Sequence, residues 1–184
     1  MTKHEVRIAG MGGQGVVTAG YILGKSACLH DGKNAIMSQS YGPEARGGAC
    51  KSEVVISDGE IDYPKVVQPS VFVVISQEAY SRYCDDICEG GTIILDEDLV
   101  TPGEMKEGVR YFRVPATRIA EQLGNKVVAN VVMLGAFQGL TGIVSMDSVK
   151  KAVTEMWPRF TELNIRALER GRESGERLLK ESRA

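Results

Sequence analysis

The chain has 184 residues, the size of one domain, and its 43% hydrophobic and 25% charged residues exclude a disordered chain. Its 22 basic and 24 acidic residues leave a net charge of −2, which excludes a general electrostatic pull toward nucleic acid or an anionic membrane surface. Glycine is over-represented: 21 of 184 residues, about 11% against roughly 7% in average usage.

In chain order, Glu5–Ala9 reads as a short first strand that runs directly into Gly10-Met11-Gly12-Gly13-Gln14-Gly15. Val16–Leu29 carries apolar residues at helical spacing and ends in His30-Asp31-Gly32, a turn with a C-cap glycine. A second strand is expected at Asn34–Ser38, then a glycine-rich loop at Ser40–Gly48. Ala49–Ser57 alternates weakly and turns at Asp58-Gly59, a hairpin signal, toward Glu60–Tyr63. Val71–Ser76 is a continuous apolar run of parallel-strand type. A helix (Glu78–Glu89), a strand (Thr92–Asp96) and another strand (Val109–Val114) follow. Helices are expected over Pro115–Leu123, Val127–Leu140, Met146–Trp157 and Thr161–Ser182.

Strands alternating with helices of ten or more residues predict an α/β fold with right-handed crossovers. It should be three-layered and Rossmann-like, a single domain whose mostly parallel sheet carries an antiparallel hairpin element. Residues 1–160 make up the α/β domain. Residues 161–184 form a charged C-terminal helix that is either part of the same domain or an arm docking on a partner. That helix holds five acids and six bases, and Gly171 and Gly175 interrupt it; a solvated, frayed helix is the plainer reading. The 20 residues Val127–Met146 lack charge but contain Asn130, Gln138 and three glycines, so they predict a buried helix rather than a membrane span. Gly135 and Gly139, at i and i+4, would let a neighbouring element approach closely.

Met1-Thr2-Lys3-His4-Glu5 is charged and lacks the apolar stretch of a secretory signal. The dispersed cysteines Cys28, Cys50, Cys84 and Cys88 match neither zinc-ribbon nor cluster-binding spacing. Reduced thiols in a cytoplasmic protein are expected. Cys84 and Cys88 read as small apolar packing residues, and His4 and His30 as solvated. No catalytic group and no metal site is expected on this chain.

Gly10-x-Gly12-x-x-Gly15 lies between a strand and a helix, the context of a dinucleotide fingerprint. Such a turn aims backbone N–H groups and a helix N-terminus at an anion. A nicotinamide enzyme also wants an acid about 20 residues on, at the end of the second strand; here that strand ends Met37-Ser38-Gln39. On the residues alone the turn could bind a dinucleotide, bind a phosphate or other anion, or simply pack tightly. Ser40-Tyr41-Gly42-Pro43-Glu44-Ala45-Arg46-Gly47-Gly48 should lie on the same carboxyl edge of the sheet, where α/β proteins bind ligands. Arg46, beside two glycines, has room to present its planar fork to a phosphate or carboxylate. The alternative is a rigid surface loop. Ser76-Gln77-Glu78 reads first as a helix cap and second as a cleft wall. Asn130 is either a satisfied buried amide or a contact to ligand or partner.

Taken together, Gly10–Val16, Gln39–Gly48, Val55-Ile56-Ser57-Asp58 and Ser76-Gln77-Glu78-Ala79-Tyr80 resemble the gamma subunit of 2-oxoacid:ferredoxin oxidoreductases. The resemblance spans about residues 5–160, and its form is most like the 2-oxoglutarate branch. It implies a subunit of a complex rather than an independent enzyme. Such complexes decarboxylate a 2-oxoacid on thiamine diphosphate and pass electrons through iron–sulfur clusters to ferredoxin. They deliver the acyl group to coenzyme A. Thiamine diphosphate and the clusters belong to partner subunits, and ferredoxin is met through the complex; no nucleic-acid partner is implied. The resemblance makes Gly12, Gly13, Gln14, Gly15, Ser40, Tyr41, Gly42, Pro43, Glu44, Arg46, Gly47 and Gly48 the candidate binding residues. They would shape a cleft that helps to hold coenzyme A. The competing reading is a stand-alone Rossmann-like nucleotide-binding oxidoreductase.

Overall fold

The computed structural model describes Thr2–Tyr41, without the Tyr41 side chain, and Gly48–Arg183. Six strands form one sheet: β1 (Lys3–Met11), β2 (Asn34–Tyr41), β3 (Ala49–Ser57), β4 (Val71–Val74), β5 (Thr92–Asp96) and β6 (Arg110–Val114). Their order is β2-β3-β1-β4-β5-β6. β1, β4, β5 and β6 pair in parallel, whereas β3 lies antiparallel to both β1 and β2. Chain length explains the exception. Only residues 42–48 join β2 to β3, too few for the crossover of a dozen or more residues that a parallel return needs.

Helices cover both faces. β1 directs Val6 and Ile8 to a core shared with α1 (Val16–Lys25), α3 (Ala116–Gln122), α4 (Ala129–Thr141), α5 (Met146–Met156) and α6 (Thr161–Glu181). Ala9, Phe72, Val74, Ile93 and Leu95 point the other way and pack against Ala79 and Tyr80 of α2 (Gln77–Tyr83). This is the expected three-layer α/β arrangement, with period-2 alternation sorting each strand between two cores.

Three expectations need correction. The antiparallel hairpin is β2–β3, not a turn at Asp58-Gly59 onto Glu60–Tyr63; residues 58–70 form no strand. The second strand runs on to Tyr41, because the ladder with β3 continues through Ser40↔Lys51 and Tyr41↔Cys50. Ser40 and Tyr41 therefore belong to a strand rather than to the loop. The Glu78–Glu89 helix stops at Tyr83, continues as one 3-10 turn to Asp86, and goes no further.

The charged C-terminal helix is also not frayed. α6 buries Asn164, Ala167, Leu168, Gly171, Ser174 and Gly175, and its Leu168, Gly171 and Gly175 meet the backbone of α4. The two helices run in the same direction, with Gly171 over Val132 and Gly175 over Ala136. From the other side, Gly135 lies against Leu168 and Arg172, and Gly139 against Arg172 and Glu176. Gly171 and Gly175, which read as interruptions, are where the backbones touch. The close approach that Gly135 and Gly139 predicted is made to α6.

Candidate functional site

The glycine turn follows β1 and is held by its own side chains. Gln14 accepts the Met11 N–H at Oε1 (2.7 Å) and donates from Nε2 to the Ile75 carbonyl (3.0 Å). Its backbone N–H donates to Met11 O (3.2 Å), and the Gly12 N–H donates to Gly48 O (3.1 Å). Two glycines are required by angle: Gly13 has φ 97° and Gly15, the N-cap of α1, has φ 73°. Asn130 reaches from α4 and donates from Nδ2 to Gly15 O (3.2 Å), while its Oδ1 accepts the Val131 N–H (3.0 Å). Asn130 is thus a satisfied buried amide that also fastens the turn.

What remains unused is informative. Among the described residues, the N–H groups of Gly13 and Gly15 find no acceptor, and α1 starts without a side-chain cap. A helix N-terminus with free amides carries partial positive charge and suits an anion. A cleft of about 340 Å³ opens beside it, between Gly13–Gly15 and the Asn125–Val128 segment, walled by Trp157, Phe160 and Leu163. A second cleft of about 320 Å³ lies on the far side of that segment, between Gln14, Ile75, Leu99 and Lys126. Val127 at the tip of the segment is 78% exposed and Phe160 63%, so the rim of the site is apolar.

Nearby acids serve the scaffold. Asp96, at the end of β5, is fully buried, and burial pushes its carboxyl pKa up. It accepts from Thr117 Oγ1 (2.6 Å) and Thr117 N (3.1 Å), which ties down the start of α3. Ser76 caps α2, accepting from Ala79 N (3.2 Å). Gln77 and Glu78 accept from the backbone N–H groups of Thr101 (2.8 Å) and Ala49 (3.3 Å). The Ser76–Glu78 segment is therefore a cap and a brace. Among the described residues, no three His, Cys, Asp or Glu side chains gather to hold a metal ion.

Of the residues expected at the site, Gly12, Gly13, Gln14, Gly15 and Gly48 come together at the carboxyl edge, with Ser40 and Tyr41 at the end of β2 two strands away. Gly42, Pro43, Glu44, Arg46 and Gly47 lie outside the described residues. Thr18, Asn125, Val127, Trp157 and Phe160 were not anticipated. Thr18 follows the turn on α1, whereas the other four reach it only because the start of α4 and the end of α5 fold over it, which no local spacing announces. The sheet order also argues against the nicotinamide reading. In the dinucleotide fold the second strand lies beside the first and its acid meets the ribose; here β3 stands between β1 and β2.

A family model for pyruvate ferredoxin/flavodoxin oxidoreductase matches residues 5–174. The chain belongs to that family. It is 51% identical over 179 residues to the 2-oxoglutarate synthase subunit KorC of Methanocaldococcus jannaschii, covering 96% of each chain. The gamma subunit of a keto/oxoacid ferredoxin oxidoreductase from Geobacter sulfurreducens superposes with a TM-score of 0.87 at 40% identity, over 97% of this chain and 99% of that one. These relatives place the chain among the gamma subunits of 2-oxoacid:ferredoxin oxidoreductases, in the 2-oxoglutarate branch, as a subunit of an oxidoreductase complex. The same fold recurs, at 23% identity and a TM-score of 0.89, in a 2-oxoglutarate:ferredoxin oxidoreductase from Magnetococcus marinus with 2-oxoglutarate, coenzyme A and succinyl-CoA bound. There it covers 97% of this chain but 32% of the longer one. No helix among the described residues is long and apolar enough to cross a membrane.

Proposed function

We propose that this chain is the gamma subunit of a cytoplasmic, thiamine-diphosphate-dependent complex. The complex oxidatively decarboxylates 2-oxoglutarate, releases carbon dioxide, forms succinyl-coenzyme A and passes the electrons to ferredoxin. Thiamine diphosphate and the iron–sulfur clusters reside on other subunits. The four cysteines here, Cys28, Cys50, Cys84 and Cys88, are free and at scattered positions. This chain closes one side of the active-site cleft and helps to hold coenzyme A.

One observation carries the role: a rigid glycine turn presents free amides at a helix N-terminus beside an apolar cleft. Coenzyme A offers phosphates and a flat base. The N–H groups of Gly13 and Gly15 suit a phosphate oxygen, and the Val127–Trp157–Phe160 wall suits an apolar face. Tyr41–Gly48, with Arg46, would complete the anion site from the β2–β3 side. The partner at this edge is the chain that corresponds to the remainder of the longer Magnetococcus protein, of which this fold is about one third. The exposed Val127 and Phe160 support an edge that is covered on assembly.

The reconstituted complex tests this. Arg46→Ala, and Gly13→Val at φ 97°, should raise KM for coenzyme A by tenfold or more and leave KM for 2-oxoglutarate near wild type. If coenzyme A affinity and complex assembly both stay unchanged in Arg46→Ala, the assignment fails. Assays on pyruvate, 2-oxoglutarate and 2-oxoisovalerate should rank 2-oxoglutarate first. Turnover with NAD by the isolated chain would favour a stand-alone oxidoreductase instead.

A further inference from the structure

The face of α6 turned toward α3 carries Arg170, Ser174 and Arg177, at i, i+4 and i+7, so they form one stripe. Across from them α3 presents Arg118 and Gln122. A cleft of about 350 Å³ lies between the two helices, with Pro115 and Ile119 at its base. It shares no lining residue with either cleft beside the glycine turn.

The guanidiniums here are only partly neutralised. Arg118 is held by Glu97 and by Asp98, the latter at 2.8 Å. Arg170 has a neutral partner, the Gln122 Oε1 that accepts from it at 3.1 Å. The nearest described carboxylate to Arg177 is Glu181 at 3.9 Å, and both side chains are more than 60% exposed, a geometry of little worth. Glu173 adds one carboxylate to the lining. The second observation is Ser174. It is 6% exposed, and among the described residues its hydroxyl finds no hydrogen-bond partner, not even the carbonyl one turn earlier. Buried hydroxyls are seldom left so.

We infer that this cleft is a second anion site, which takes a small molecule bearing a phosphate ester or pyrophosphate. Arg170 and Arg177 supply the planar forks that match phosphate oxygens, Arg118 is already positioned by its two carboxylates, and the Ser174 hydroxyl gains the acceptor it lacks. A protein partner fits less well. Among the described residues, none of the large exposed hydrophobic side chains lines this cleft, so it lacks the apolar anchors that carry a protein interface. The inference is independent of coenzyme A at the glycine turn.

Calorimetric titration of the full chain with inorganic pyrophosphate at low salt is the test, run beside Arg170→Ala/Arg177→Ala, Ser174→Ala, Glu173→Gln and Gly13→Val. Saturable one-to-one binding at this cleft is expected, measured as the binding that persists in Gly13→Val. The double arginine variant should weaken it at least tenfold and Ser174→Ala several-fold. Glu173→Gln should tighten it, and Gly13→Val should leave it unchanged. Circular dichroism verifies folding; both α6 arginines are exposed, so the double variant decides if Ser174→Ala disturbs packing. Absence of saturable binding overturns the inference, as does wild-type affinity in the double variant or loss of binding in Gly13→Val alone. So does a glutamate-rich peptide that binds through these arginines where pyrophosphate does not.

Discussion

Replacing Gly135 or Gly171 by alanine should do the opposite of what alanine does in an ordinary helix. In an open helix interior the change stabilises by roughly 0.5–1 kcal/mol. At Gly135, however, an added methyl would fall on the Leu168 carbonyl oxygen and lie 2.9 Å from Arg172 N; at Gly171 it would fall on the Val132 carbonyl. Both obstacles are backbone, so no side chain can rotate away, and α4 and α6 must separate. Overpacking of this kind costs about 1–3 kcal/mol, occasionally more. Separation also loosens Leu168 and Ala136, which are fully buried. A net loss of about 2–3 kcal/mol is expected, or about 5–10 °C in Tm for a chain of this size. Gly175→Ala and Gly139→Ala, with closest approaches of 2.5 and 2.6 Å, should cost somewhat less. Gly24→Ala in α1 is the internal control: its methyl would meet only Val54 Cγ1 at 3.7 Å, so it should stabilise. Urea unfolding of the full chain followed by circular dichroism measures all five. If Gly135→Ala matched Gly24→Ala, the proposed interlock of the two helices would be wrong.

Gly15→Ala should destabilise by about 1–2 kcal/mol from its left-handed backbone alone, with a further cost from the collision with Asn130. Asn130→Ala should relieve only the collision, so a double-mutant cycle should depart from additivity by more than about 0.5 kcal/mol; additivity would mean the contact is not made. Arg7 is 2% exposed, pairs with Glu53 at 2.7 Å and with Asp86, and lies over the Tyr83 ring. Arg7→Ala should cost about 1.5–3 kcal/mol by removing a charge-assisted hydrogen bond, since Lys51 at 2.8 Å still pairs with Glu53. Asp86→Ala should cost about 1 kcal/mol or less, because Asp86 is 47% exposed; equal losses in chemical denaturation would contradict this. Burial opposes ionisation of Asp31, but hydrogen bonds from Ser148 and Ser145 and the charge of Lys33 outweigh it and hold the pKa below 3.8. Its contribution is therefore full above the unfolded value and lost as pH falls through the folded one. Asp31→Asn should destabilise by about 1–2 kcal/mol at pH 7, with the difference shrinking below about pH 4; a constant difference across pH would refute it.

Residues close in sequence made much of this fold legible. The glycine turn between strand and helix, the Ser76 cap and the apolar run of β4 depend on neighbours a few positions away. The Ser40–Gly48 segment could be placed on the carboxyl edge because it follows a strand. The position of β3 could not be read. Weak alternation over Ala49–Ser57 is compatible with a hairpin on either side, and only the pairings with Asn34–Tyr41 and with β1 decide between them. Charge counting misjudged α6. Its acids and bases suggested solvent all round, although every third or fourth residue is small or apolar and faces α4.

By itself the sequence determined the α/β class, the family motifs and the glycines that free the backbone at the sheet edge, since local steric and hydrogen-bond rules act within a few residues. Only the tertiary structure decided which face each glycine serves. Gly13 and Gly15 leave amides open beside a cleft, whereas Gly135, Gly139, Gly171 and Gly175 bring two helices into backbone contact. It also decided that Trp157 and Phe160 wall the candidate site and that Arg118 faces Arg170 and Arg177. Those neighbours are separated by dozens of residues, and only long-range packing brings them together.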